Sequence, residues 1–233
     1  MPFFDPVTLP TLLILAGVAG CPAQGRIEVD VRLDRTNSPY ITNQTSEQLT
    51  AQYGRDPDST LSTDGHWMVG GVTVVSGSGL QAQTKMAFTT LTNYKNNTTC
   101  FTVSKLEYEI QYSPLVYIAS DYKDMGCRYS VTLMHEKRHV QTDVRTITDF
   151  IPDMERKISA VAESLGPQGP FPTAGIGEAQ QRVMKQVNEA LKPAWLELVE
   201  LRRKRQAEID TEANYLRDTA LCPGQFPKRD VSK

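Results

Sequence analysis

The chain is predicted to fold as an α+β protein, because strand-like and helix-like segments are segregated along it instead of alternating. Residues 26–120 read as strands separated by Gly, Asn and Pro punctuation, whereas helix formers dominate from Ser130 onward. Composition agrees with a globular domain: 233 residues, 39% hydrophobic and 22% charged, with a formal net charge of -2. That near-neutral balance offers no electrostatic footprint for nucleic acid or for an anionic membrane.

Residues 1–20 are expected to be a leader. Val7 to Ala19 is apolar apart from Thr8, Pro10 and Thr11, too short to span a bilayer and of the length of a signal-peptide core. Residues 21–233 are then expected to form a single domain. Within it Ile27, Val29, Val31 and Leu33 alternate with Glu28, Asp30, Arg32 and Asp34, the period of a strand with one wet face. Thr36 to Asp64 is polar and reads as loop with one turn of helix. Trp67–Val75, Gln83–Tyr94, Cys100–Tyr112 and Leu115–Ser120 supply four further strands, which predicts a twisted antiparallel or mixed sheet over 26–120. A helical segment follows over 130–165, with Pro152 placed to kink it or to open a second helix. Gly and Pro break the chain over 166–175. A long charged helix is predicted over 178–220, bent near Pro193, with an apolar stripe through Trp195, Leu198, Ile209, Ala213, Leu216 and Ala220.

Val18-Ala19-Gly20-Cys21 resembles a bacterial lipobox, which implies removal of residues 1–20 and lipidation of Cys21. A simple signal peptide cut at Gly20 or Ala23 is the alternative. Either way the expected location is outside the cytoplasm: the bacterial periplasm, the envelope through a lipid anchor, or the medium. The remaining cysteines are Cys100, Cys127 and Cys222. In an oxidising compartment Cys100, at a strand end, and Cys127, just before a helix, are the expected disulfide, with Cys222 unassigned.

Only three histidines occur, and two of them lie in His135-Glu136-Lys137-Arg138-His139. On a helix, positions i and i+4 fall one turn apart on the same face, so both imidazoles point at one zinc ion. Glu136 is rotated about 100° from His135 and roughly 60° from His139, which sets its carboxylate beside such an ion as general base for a zinc-activated water. A zinc site of this kind needs one more protein ligand. No histidine follows His139, so that ligand is expected to be acidic or tyrosyl, with His66 the remaining histidine. Asp210 is the first choice, followed by Glu212, with Tyr215 and Glu208 behind them. Asp143, two turns beyond His135, is expected to support an imidazole from behind instead of binding metal.

These residues resemble the core motif of the zincin superfamily of metallopeptidases, and the likeness is nearest to bacterial exported zincin-like domains of unknown function. The resemblance implies a helix bearing the motif beneath a twisted sheet, one of whose edge strands binds the substrate backbone. By chain order Leu115–Ser120 takes that edge place. It also implies an Asp or Glu from a later helix as third ligand. Exported relatives often carry Asp-x-x-Thr-x-His-Gly, which sets Asp210 on the Asp, while Ala213 and Tyr215 stand where the Thr and His would be. The intervening Lys137 and Arg138 depart from the usual uncharged pair.

The expected function is an exported hydrolase with one zinc ion per chain, cleaving amide bonds of a peptide or protein. The rivals are a non-catalytic envelope protein, with or without metal, and a zinc amidase acting on cell wall. The basic run Arg202-Arg203-Lys204-Arg205 is read as a salt-bridged helix face and not as a polyanion site.

Overall fold

The computed structural model describes residues 21–53, 70–75 and 79–226. The expected leader 1–20, His66 and the first part of the Trp67–Val75 strand lie outside the described residues. The fold is α+β with two mixed sheets. The larger sheet joins β1 (Glu28–Arg35), β5 (Thr98–Tyr112) and β4 (Leu80–Asn93), with β7 (Gln168–Pro172) added to one end of β5. The smaller has the order β2 (Tyr40–Ile41), β6 (Leu115–Ile118), β3 (Gly71–Val74). The pairing is less of a meander than the punctuation suggests. β1 runs parallel to β5, and β2 parallel to β6, because alternation within a strand says which face is wet but not which neighbour it joins.

Two findings replace expectations about the sheets. The polar 36–64 segment contains both β2 and the two-turn helix α1 (Ser46–Tyr53), opened by a reciprocal cap in which the Thr45 amide donates to Gln48 Oε1 and the Gln48 amide to Thr45 Oγ1. Because β2 joins one side of β6 and β3 the other, the Leu115–Ile118 strand is central in its sheet, and β2 and β3 are the edges.

The helical half is built on α2 (Gly126–Ser164), which continues through Pro152. Its buried residues Val131, Thr132, His135, Glu136, His139, Val140, Asp143, Ile147, Phe150, Met154, Ile158 and Ala162 follow three- and four-residue steps and form one stripe. The apolar part packs on β1 and on α3 (Ile176–Ala207), whose Val183, Val187, Leu191 and Leu198 are buried. An internal proline costs roughly 3 kcal/mol through its missing amide and its ring. Burial of a Leu-sized side chain contributes about 1.5–3 kcal/mol, so this stripe carries α2 past Pro152 and α3 past Pro193. The helix expected over 178–220 is instead two. Thr211 ends the connection and caps α4 (Glu212–Ala220), its Oγ1 accepting from the Asn214 amide at 3.3 Å. The interruption resets the helical phase, so Ile209 is buried while Leu216 is exposed.

The disulfides are Cys21–Cys100 and Cys127–Cys222, not Cys100–Cys127. The reason is the length of α2: 39 residues at 1.5 Å each span about 58 Å. Cys127 sits in its first turn, whereas Cys100 precedes Phe101, which pairs with Gln168 beyond the other end of the helix. Cys21 is therefore bonded through sulfur to Cys100, which leaves no thiol there for a lipid. Two disulfides belong to an oxidising compartment. No helix among the described residues is long and apolar enough to cross a membrane.

Candidate metal centre

His135 and His139 project from one face of α2, and the connection between α3 and α4 brings Asp210 against them. Three ligand atoms converge. His135 Nε2 and His139 Nε2 stand 3.1 Å apart, and Asp210 Oδ1 lies 3.2 Å from the first and 3.1 Å from the second. Ligand atoms 2.0–2.1 Å from a tetrahedral ion are roughly 3.3–3.4 Å apart, so the cluster already has nearly the spacing that one ion requires. The three side chains are 7%, 2% and 2% exposed.

The opposite ring nitrogens say which tautomers are held. His135 Nδ1 lies 3.2 Å from Asp218 Oδ2, a carboxylate that only accepts, so Nδ1 carries the proton. His139 Nδ1 faces Gln206 Oε1. The Gln206 amide cannot be reversed, because its Nε2 donates to the His139 carbonyl at 3.0 Å and to Asp143 Oδ1. With both Nδ1 atoms as donors, the two Nε2 atoms of neutral rings turn lone pairs toward Asp210. The Tyr215 hydroxyl donates to Asp210 Oδ1 but reaches neither imidazole, so the two Nε2 lone pairs facing that carboxylate call for a cation, either a metal ion or an added proton. Asp210 Oδ2 supplies a second sign: it is buried and has no hydrogen-bond partner among the described residues. The donor set of two imidazoles and a carboxylate suits zinc.

Electrostatics follow from this crowding. Burial pushes the Asp210 carboxyl upward, but its contacts with the His135 and His139 rings, the positive charge of a protonated His139 and the Tyr215 hydroxyl hold it well below the usual carboxylate range. Burial opposes a charge on His139, yet Asp210, Glu136 and Gln206 together raise it to about 9. For Glu136 burial wins over the pull of both histidines and of Thr73, and its carboxyl is raised. Thr73 on β3 donates to Glu136 Oε2 at 2.8 Å. Gly71, two residues earlier, leaves the room: a Cβ there would stand 2.9 Å from both Cγ and Oε1 of Glu136. The edge strand that touches the motif is therefore β3.

The residues expected on the C-terminal segment separate into roles. Tyr215 donates its hydroxyl to Asp210 Oδ1 at 2.8 Å and stacks its ring on His135, with centroids 5.0 Å apart. Glu208 and Glu212 are exposed and stand outside the converging group. Asp143 is one step further back than an imidazole partner. It accepts from Tyr112 at 2.9 Å, pairs with Arg202 at 2.8 Å and reaches His139 only through Gln206. Arg138 is not a solvent-facing bystander: both its terminal nitrogens meet the Asp218 carboxylate, at 3.1 and 3.3 Å. Gln206 and Asp218 were not anticipated from sequence. The rest of the basic run is paired as expected, Arg203 and Lys204 with Glu200 and Arg205 with Asp149. Compared with protein-family models, with curated proteins and with solved structures, the chain matches none of them.

Proposed function

We propose that the chain is an exported, zinc-dependent hydrolase that cleaves amide bonds in peptides or proteins. The observation that carries this reading is the convergence of His135 Nε2, His139 Nε2 and Asp210 Oδ1 beside a buried Glu136. His135, His139 and Asp210 would hold a zinc ion, which would supply a Lewis acid for a carbonyl and lower the pKa of a water toward roughly 7. The chain's own residues do the rest. Glu136, its carboxyl raised by burial, has a basicity shifted toward neutral pH. It accepts a proton as water attacks the carbonyl carbon and returns it to the leaving amine, while Thr73 holds one of its oxygens in place. An extended peptide added to the outer edge of β3 would present its backbone along the strand that carries Gly71 and Thr73. Zinc as the metal, export by a leader and the zincin likeness are parts of the same proposal.

The low exposure of the ligands favours a second reading, in which the metal only ties α4 to α2 and nothing is hydrolysed. Glu136→Gln separates the two. Under the hydrolase reading the zinc-loaded parent cleaves a panel of casein and peptidoglycan fragments, and Glu136→Gln keeps its metal but loses about 100-fold or more in rate. Cleavage of peptidoglycan alone would move the substrate to cell wall. A zinc-loaded parent without activity on either, or a Glu136→Gln variant as fast as the parent, would overturn Glu136 as general base.

A further inference from the structure

Beside the metal ligands, but outside them, α2, the end of α3 and α4 border an open cleft of about 700 Å³. Its wall carries Arg138, Arg145, Arg205 and Arg217, against the two carboxylates of Asp149 and Glu208. The sequence dictates part of this: Arg138, Arg145 and Asp149 recur at seven- and four-residue steps and so share a face of α2. The α3–α4 break supplies the remainder by turning Arg217 toward the same space that Arg205 reaches.

The arginines are not equally engaged. Arg138 is committed to Asp218, and Arg205 to Asp149 at 3.0 Å. Arg217 stands 3.5 Å from Asp218 at a single nitrogen, and its side chain is 60% exposed. Arg145 is exposed and has no ion pair or hydrogen bond among the described residues. Four guanidinium groups at one concavity repel one another unless anions lie between them. Asp218 and Asp149 answer Arg138, Arg217 and Arg205 in part, Glu208 is the one further carboxylate of the lining, and Arg145 has no carboxylate of its own among the described residues. The guanidinium fork is the side chain best matched to carboxylate and phosphate oxygens. The cleft also falls within the roughly 300–1,000 Å³ of small-ligand sites, well above the space a lone oxyanion fills.

We propose that this cleft binds a ligand bearing two or more carboxylate or phosphate groups, held chiefly by Arg145 and Arg217. The site needs no metal and does not depend on hydrolysis. The test is calorimetric titration of the full chain with trimesate, a tricarboxylate, and with a hexose bisphosphate, using benzoate as the singly charged control. At low salt at least one polyanion binds saturably with a Kd below about 1 mM, benzoate binds at least ~10-fold more weakly, and affinity falls as salt is raised. Whichever probe binds more tightly identifies the source of the anionic groups. Arg145→Gln weakens that binding ~10-fold and the Arg145→Gln/Arg217→Gln double variant ~100-fold. Both side chains are exposed, so thermal unfolding of the variants stays at the parent's midpoint. Failure of both polyanions to bind below about 10 mM, or equal binding by parent and double variant, would overturn the proposal.

Discussion

Replacing Gln206 by Leu tests how the metal cluster is held together. In the native chain one amide makes three buried contacts: Oε1 accepts from His139 Nδ1, and Nε2 donates to the His139 carbonyl and to Asp143 Oδ1. Leu fills similar space but makes none of them. Asp143 keeps Tyr112 and Arg202, so its loss is partial. The His139 Nδ1–H is left buried without an acceptor. Two net hydrogen bonds at about 1 kcal/mol each, plus roughly 1–3 kcal/mol for the orphaned donor, total about 3–5 kcal/mol. For a domain of this size each kcal/mol is worth about 2–4 °C, which sets an expected fall in Tm of roughly 6–20 °C. Metal affinity should fall about 10–100-fold, since nothing then selects the tautomer that frees His139 Nε2. Denaturant unfolding of the metal-free protein measures the first quantity, and competition with a chelator of known affinity the second. A variant that loses stability while binding zinc within about two-fold of the parent would refute the claim that Gln206 orients His139.

Three further expectations follow from the same geometry. Gly71→Ala puts a methyl 2.8 Å from Thr132 Cγ2 and 2.9 Å from Glu136 Oε1. It should cost about 1–3 kcal/mol and displace the base, so hydrolysis drops while metal content stays at the parent level; unchanged turnover would contradict that placement of Glu136. Cys127→Ser/Cys222→Ser releases the tail of α4 from the first turn of α2 across a separation of 95 residues. A loss of about 2–5 kcal/mol and weaker zinc binding are expected in chelator competition, and an unchanged zinc affinity would show that Asp210 does not rely on this clamp. Finally, His139 in the metal-free fold has a pKa raised to about 9. Because that folded value lies above the unfolded one, its stabilising contribution is complete below about pH 6.5 and is lost as pH rises through about 9. Zinc must displace this proton, so calorimetry in buffers of different ionisation enthalpy should show at least about one proton released per ion at pH 7, with His139 its main source; above pH 9 the His139 share is gone and the proton of a zinc-bound water is what remains. Release of well under one proton per ion at pH 7 would contradict His139 as a ligand.

Much of the fold was legible because it rests on local pattern. The Ile27–Leu33 alternation, the strand-like runs over 83–112 and the helix formers from Ser130 onward each declare their element. What was not legible depends on partners distant in the chain. β2 hides in a polar segment, and its two residues are enough to turn Leu115–Ile118 from an edge into a centre. The disulfide pairing required knowing that α2 stays unbroken through Pro152 and so separates Cys100 from Cys127. In the metal centre, the His-Glu-x-x-His spacing located three residues and the absence of later histidines narrowed the fourth to an acid or a tyrosine. Gln206 and Asp218, 67 and 83 residues from their histidines, read as ordinary polar positions on helices. Thr211 was a usable signal: a capping residue there opens a separate helix, α4, and leaves Asp210 in the connection before it.

The central claim is that His135, His139 and Asp210 hold one divalent ion. Elemental analysis of the purified chain after zinc loading and exhaustive dialysis tests it most directly. The expected result is about one zinc per chain in the parent and in Glu136→Gln, and almost none in His139→Ala or Asp210→Ala. A parent that retains no zinc, or an Asp210→Ala variant that retains as much as the parent, would contradict it.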